Sequence, residues 1–338
     1  MDSYDIIAGE VETLLDEHKA QTAGDADILQ DALQGRDLLM VDADFGLSAN
    51  NLSTHLNNAR AMGLGRTADL IVERLFYGTT PRDVTDVFRS FLGGKQQLRT
   101  RRVHESPTHV DRPLAGVIFS GSPACVTNVA HGETIHGLDI RITDAEVYSS
   151  MTGIHDQLIT AGIPGVGVCF GHQFISSRSG AQVVKMPATR KGIEVIQSSP
   201  NGAQIVQEGF GSSVDKGALY VSHNDCVVPD PKHSVTFLAT NDSIVHGLVS
   251  NKGIQFSGDS KSDASLVRDA LASGQRFDLT MQAHPELTMF YLLLEAMKRL
   301  CNGRDIQSLD IPGKIKSLRS VFKSMVAFLG AHKNTQPN

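Results

Sequence analysis

Cys169, His284 and Glu286 are the side chains of this chain whose types and settings suit nucleophilic catalysis. Cys169 stands in Gly167-Val168-Cys169-Phe170-Gly171-His172-Gln173, directly after the apolar run Ile163-Pro164-Gly165-Val166. This pattern predicts a buried strand, a sharp turn and the start of a helix. Cysteine sits at the apex in a strained conformation, and glycines two residues either side let neighbouring segments approach closely. The helix N-terminus brings unsatisfied N–H groups and a positive dipole end to the sulfur, a setting that stabilises negative charge there. Downstream, Leu279 to Glu286 reads as a strand ending in a His-x-Glu pair. In extended chain residues two apart share a face, so Glu286 can hold the His284 imidazole in one tautomer while its other nitrogen takes the thiol proton. The apolar stretch Gly116 to Phe119 delivers Ser120-Gly121-Ser122-Pro123. That loop can aim the Gly121 N–H at a developing oxyanion, with the Phe170 N–H as the second donor.

Each motif taken singly has an ordinary counterpart. A buried cysteine is usually a small hydrophobe. A histidine near a strand end is commonly a hydrogen-bonded structural residue, and Gly121 with Pro123 also suits a plain turn. Their joint occurrence favours a triad with an oxyanion hole.

In this combination and order the residues resemble the class I (triad-type) glutamine amidotransferase domain. Cys169, Gly171 and Gln173 fill that family's C-x-G-x-Q elbow, and His284, Pro285 and Glu286 fill its terminal H-P-E. Leu39-Met40-Val41-Asp42 followed by Asn51-Leu52 looks like the family's first strand and helix. Tyr220-Val221-Ser222-His223-Asn224-Asp225 is similar to the S-H-x-D segment of its GMP-synthetase-like glutaminase branch. The resemblance spans about residues 38 to 300. It implies that Gln173 lines a glutamine pocket and that His223, Asn224 and Asp225 contact the substrate's amino or carboxylate group. His-Asn-Asp is equally ordinary loop chemistry. Two departures stand out: Ser122 replaces a frequent glycine, and Gln282-Ala283 precedes His284 where many members carry an aromatic residue.

The 338 residues, 41% hydrophobic and 20% charged, are those of an ordinary globular protein able to bury a sizeable core. A formal charge of −6 gives no basis for nucleic-acid binding. Arg99, Arg101 and Arg102 read as a solvated strand face rather than an anion site. Four scattered cysteines without C-x-x-C spacing point to a reducing compartment, and neither a metal site nor a cofactor motif is expected. Without an apolar span or a signal-peptide core, a cytoplasmic location and no membrane partner are expected.

Residues 1–37 show helical apolar spacing (Ile7, Val11, Leu14, Leu15, then Ile28, Leu29, Leu33) and read as accessory helices broken near Gly24. They either dock on the domain or bind a partner. Residues 38–330 are expected to form one amidotransferase-like domain with a helical insertion at about 64–96, followed by a tail at 331–338. Within it, helices are expected at Ser48 to Met62, Arg66 to Phe76, Pro81 to Leu92, Asp144 to Ala161, Phe170 to Ser179, 259 to 275, Leu287 to Leu300 and Ile315 to Leu329. Strands are expected at Leu38 to Val41, Leu98 to Val103, 165 to 168, Val183-Val184, Gly192 to Gln197, Ala218 to Val221, Thr236 to Thr240 and Val245 to Val249. Those after the elbow form an antiparallel extension. The implied fold is α/β, a three-layer sandwich around a mainly parallel, flavodoxin-like sheet.

The resemblance implies hydrolysis of the glutamine side-chain amide through a cysteinyl γ-glutamyl thioester. About fifty residues follow Glu286, too few for an ATP-dependent synthetase domain, and no G-x-x-x-x-G-K-[ST] loop occurs. Released ammonia is therefore expected to pass to a separate synthase subunit. The alternatives are a stand-alone γ-glutamyl hydrolase with the same triad and a non-catalytic regulatory module.

Overall fold

Alternation along the first strand separates two apolar layers. In β1 (Asp37–Asp42), Leu38 and Met40 face one hydrophobic cluster while Leu39 and Val41 face another, as a period of two requires. Such a strand, buried on both faces, belongs to the interior of a parallel sheet covered by helices on each side.

The computed structural model describes residues 3–93, 98–103, 105, 113–131, 134–135, 142–210, 217–228, 234–239, 244–250 and 256–332. Helices α1 (Ser3–Thr22) and α2 (Asp25–Leu33) precede β1. Then come α3 (Leu47–Ala61), α4 (Gly65–Leu75), α5 (Val84–Phe91), β2 (Leu98–Arg102), β3 (Leu114–Phe119), α6 (Asp144–Ala161), β4 (Gly165–Val168) and α7 (Phe170–Arg178). The second half holds β5 (Val183–Ser198), α8 (Pro200–Phe210), β6 (Gly217–Val227), β7 (Ser234–Ala239), β8 (Ile244–Ser250) and α9 (Ser260–Ala272). It ends with β9 (Phe277–Met281), α10 (Pro285–Cys301) and α11 (Ile311–Ala331).

Among the described residues the sheet runs β2-β1-β3-β4-β9-β8-β7-β5-β6. Its first five strands are parallel, and β8, β7, β5 and β6 continue it in antiparallel pairings. The α/β sandwich and its antiparallel extension follow the sequence expectation. Apolar faces of α6 and α7 cover one side of the parallel strands, through residues such as Met151 and Phe174. On the other side α3, α4, α5, α10 and α11 share one core with α1 and α2, where Val11 and Leu29 are fully buried. Arg74 pairs with Glu12 and Asp16 of α1, and Arg319 meets Asp25 of α2 at 2.8 Å.

Several boundaries differ from expectation for local reasons. Pro81 lies outside α5, because Asp83 caps that helix by accepting from the Asp86 N–H at 2.9 Å. The segments around Val183 and Gly192 are one long strand, irregular between Lys185 and Arg190. Helix α8 has no counterpart in the sequence reading, since Pro200, Gly202 and Gly209 punctuate it; the Ser199 hydroxyl accepts from the Gly202 N–H at 2.9 Å and starts it. Of the β2 arginines Arg102 is exposed as expected, while Arg99 and Arg101 are half-buried. Arg99 pairs at 2.5 Å with Asp37, which is buried. Beyond residue 330 the helix continues to Ala331, and His332 is buried. No helix among the described residues is long and apolar enough to cross a membrane.

Candidate active site

The elbow forms where the motif places it. Strand β4 ends at Val168, and α7 begins at Phe170 with Cys169 in the N-cap position at φ 51°, ψ −105°. A non-glycine residue seldom occupies that region, so the turn carries strain held by its surroundings. Its N–H donates to the Met281 carbonyl at 2.8 Å, tying the apex to the end of β9. The two motif glycines serve close approach rather than positive φ. A Cβ on Gly167 would stand 2.5 Å from the Gly171 carbonyl oxygen, and one on Gly171 would strike the Phe119 carbonyl and stand 2.9 Å from the Phe119 Cβ.

Parallel pairing of β4 with β9, with Val168 opposite Met281, brings the ends of both strands together. His284 follows β9 and is clamped by β6: its N–H donates to the Tyr220 carbonyl at 2.7 Å. The Thr288 hydroxyl donates to the His284 carbonyl at 2.8 Å and accepts from the Tyr220 N–H at 3.0 Å.

The His-x-Glu pair is not extended, contrary to the sequence reading. His284 is the N-cap of α10, Pro285 is its first residue, and Glu286 lies in its first turn. Proline at the first helical position loses no hydrogen bond and starts the helix at once. This cap geometry, not strand alternation, brings Nδ1 of His284 to 2.8 Å from Oε1 of Glu286. Both side chains are buried. Burial by itself would depress the imidazole, but the adjacent Cys169 sulfur and the Glu286 carboxylate outweigh it and raise His284 well above its ordinary value. With Nδ1–H given to Glu286, Nε2 is the nitrogen left for the sulfur.

Gly121 borders both groups: a Cβ there would stand 2.9 Å from Cε1 of His284 and 3.5 Å from the Cys169 Cβ. Ser120, given no role of its own in the sequence reading, fixes this loop. Its fully buried hydroxyl accepts from the Ala43 N–H at 2.9 Å and donates to the Gly121 carbonyl at 2.8 Å. The Ser122 hydroxyl accepts from the Ala124 N–H at 3.1 Å, so this departure from glycine closes a local turn. Phe170 presents its backbone as the first residue of α7 and buries its ring in the α6–α7 layer.

A cavity of about 220 Å³ opens over Cys169 and His284, lined also by Gln173, His223, Asn224 and Asp225. Gln173 donates from Nε2 to the Asp225 carbonyl at 3.0 Å and to Gln282 Oε1 at 3.1 Å. Thus the unusual Gln282 holds the pocket glutamine from behind. His223 donates from Nδ1 to the Asp225 carbonyl at 2.8 Å, and burial lowers its basicity. The Asp225 carboxylate is held by Thr127, from the N–H at 3.0 Å and the hydroxyl at 2.9 Å. Asn224 is exposed at the rim, accepting from the Thr189 hydroxyl. Sequence reasoning missed Thr127 and Tyr291, and gave Tyr220 no role of its own. It also missed Asp44, a buried cavity residue that accepts from the Ser48 N–H and hydroxyl at 2.9 and 2.8 Å. Burial pushes the Asp44 carboxyl up to about 6 against those donors. The spacing Asp44 to Ser48 at a helix start was the available signal.

The model of the family described as "Glutamine amidotransferase class-I" matches residues 97–289, more than half of the chain, a span that holds Gly121, Cys169, Gln173, His223, Asp225, His284 and Glu286 but not Asp44. The chain belongs to the class I glutamine amidotransferases. Among curated relatives, the chain is similar to the glutamine-hydrolysing GMP synthase of Streptococcus uberis (strain ATCC BAA-854 / 0140J), 24% identical over 146 residues. That match covers 43% of this chain and 24% of the relative. A second, the glutamine-hydrolysing GMP synthase of Tropheryma whipplei (strain Twist), is 27% identical over 93 residues, 27% of this chain and 17% of that one. The matches therefore span about a quarter or less of the relatives' length. Among solved structures, a glutamine amidotransferase from Thermotoga maritima aligns with a TM-score of 0.46 at 11% identity, covering 87% of this chain and 95% of that one. A glutamine amido transferase from Methylobacillus flagellatus aligns with a TM-score of 0.42 at 13% identity, covering 74% and 90%.

Proposed function

We propose that this amidotransferase hydrolyses the side-chain amide of glutamine through a γ-glutamyl thioester on Cys169 and supplies the ammonia to a separate synthase. The observation that carries the reading is Cys169 and His284 lining a cavity whose wall also holds Gln173, with Glu286 hydrogen-bonded to His284 at 2.8 Å outside that lining. His284 Nε2 takes the thiol proton while the sulfur attacks the amide carbon, and the carbonyl oxygen becomes an oxyanion. The N–H groups of Gly121 and Phe170 are the assigned donors to it, each donor in such sites being worth about 100-fold to 1,000-fold in rate. Collapse breaks the C–N bond, and the imidazolium gives its proton to the departing ammonia. Water then loses a proton to His284 and attacks the thioester, and glutamate leaves as the sulfur regains its proton. Gln173, His223, Asn224 and Asp225 are assigned to substrate positioning. The GMP synthase names of the curated relatives support glutamine as substrate and a nucleotide-forming synthase as the ammonia consumer.

A second reading, cleavage of γ-glutamyl peptides, draws support from the cavity's open rim at Asn224, Thr189 and Lys191, which leaves room for a substituent on the amide nitrogen. Incubation of the pure protein with glutamine and with γ-glutamyl dipeptides, scoring ammonia and glutamate, separates the two. Glutamine turnover abolished by Cys169→Ala supports the first, and peptide-only cleavage supports the second. Should neither be cleaved, affinity capture from native extract follows, and inactivity with no synthase captured sinks the assignment in favour of a non-catalytic module.

A further inference from the structure

A larger pocket lies behind the candidate active site, with a volume of about 710 Å³. Small-molecule sites usually measure about 300–1,000 Å³. Neither Cys169, His284 nor Gly121 lines it, so the proposed chemistry leaves it unexplained. Its walls come from α3, the β5–β6 pair and α10, and its surface is chiefly apolar. Three rings are ordered along it. Tyr220 stacks on Tyr291 with centroids 3.8 Å apart and planes within 5°, and His55 meets Tyr291 edge-on at 5.9 Å. Charged lining is unbalanced among the described residues: Lys298, Arg299 and Lys314 line it with Glu295, whose carboxylate already accepts from Arg299 Nε at 3.1 Å, while Asp310 stands near Lys314 from outside the lining. Tyr220 and Tyr291 line both this pocket and the smaller catalytic cavity.

We propose that this pocket is a second small-molecule site, built for a ligand with a flat apolar body and an acidic group. Stacked and edge-on rings offer the body aromatic contacts, and the surplus of cations meets the acid. Through the shared tyrosine pair, the occupant adjoins the catalytic cavity without entering it. The inference stands apart from the glutaminase reading, since it uses none of the triad.

The test uses two naphthalene probes on the full chain: 8-anilinonaphthalene-1-sulfonate, and N-phenyl-1-naphthylamine, which has the same body without the sulfonate. One saturable site is expected for the sulfonate. The double variant Lys298→Glu/Lys314→Glu should weaken it by about tenfold or more while changing the neutral amine much less. Cys301 lines the pocket and is exposed, which supplies a local readout in the unmutated protein. Its alkylation by iodoacetamide, followed by peptide mass spectrometry, should slow severalfold when the sulfonate is bound, with Cys125 and Cys226 unaffected. Absence of a saturable site, equal weakening of both probes, or an unprotected Cys301 would overturn the proposal. So would protection of Cys301 by protein concentration alone, which would make a second copy the occupant.

Discussion

Nδ1 of His284 and Oε1 of Glu286 meet at 2.8 Å across a helix start, with Pro285 between them. The carboxylate thereby fixes the tautomer from inside the protein while the ring faces Cys169. Replacing Glu286 by Gln keeps the size but removes the charge. If the proposed triad operates, kcat should fall by about 10⁴-fold, as loss of a tautomer-setting carboxylate does elsewhere. Because Cys169 and Glu286 both favour the protonated ring, the pKa of His284 should drop in Glu286→Gln and in Cys169→Ala. NMR titration of the imidazole measures this, and an unchanged value would contradict the electrostatic account.

Gly171 and Gly153 make a matched pair for backbone approach. In Gly171→Ala the new methyl group meets the Phe119 carbonyl, a backbone atom that cannot swing aside. Stability should drop by about 3 kcal/mol or more, or soluble protein should be lost. Gly153 lies exposed within α6 with nothing within 4 Å of its added Cβ, so Gly153→Ala should stabilise by about 0.5–1 kcal/mol. Denaturant midpoints of the two variants decide the matter.

His332 predicts an acid-side stability loss. Its Nδ1–H donates to the Phe328 carbonyl at 2.9 Å, and Nε2 accepts from the Phe277 N–H at 3.3 Å, so the folded ring is neutral. Burial depresses it from 6.5 to about 4. Above about 6.5 neither state binds the proton; between there and 4 the unfolded chain takes it first, so stability falls as pH falls. Across that window the histidine should cost about 3 kcal/mol. Asp44, raised to about 6, titrates in the opposite sense, so the comparison must be wild type against His332→Gln. Urea unfolding at stepped pH should show a flatter profile in the variant, by up to one proton.

Thr127→Val leaves the Asp225 carboxylate with the backbone N–H but without the hydroxyl that reaches it at 2.9 Å. If Asp225 positions substrate, KM for glutamine should rise by about fivefold to thirtyfold with kcat less affected, corresponding to about 1–2 kcal/mol. A KM unchanged beside a lowered melting temperature would make Thr127 a purely structural tether.

Legibility followed the range of the forces involved. The parallel strands and α6 stand out because burial on both faces, or a Thr143 capping box, writes itself into consecutive residues. The elbow was equally plain, because its two glycines answer a steric demand within five residues. Thr127, whose partner Asp225 is 98 residues away, left no local trace. Neither did the stack of Tyr220 on Tyr291, which depends on how β6 and α10 cross. The shape of the His284–Glu286 pair was misread because alternation along a strand and the first turn of a helix can both bring residues two apart together.

Under the elbow, at the opposite ends of β4 and β9, Asp278 accepts from the Gly165 N–H at 2.7 Å, from Arg276 at 2.6 Å and from His155 at 2.9 Å. All three side chains are sealed from water. Burial opposes its charge, yet the Arg276 guanidinium and His155 hold its carboxyl below the ordinary carboxylate range. The two strands are thus pinned at the base like the arms of a pair of tweezers, with Cys169 and His284 at the tips. Under the roles proposed for Cys169 and His284, their spacing then depends on this buried anchor at the far end of the strands as well as on the Cys169–Met281 hydrogen bond at the near end.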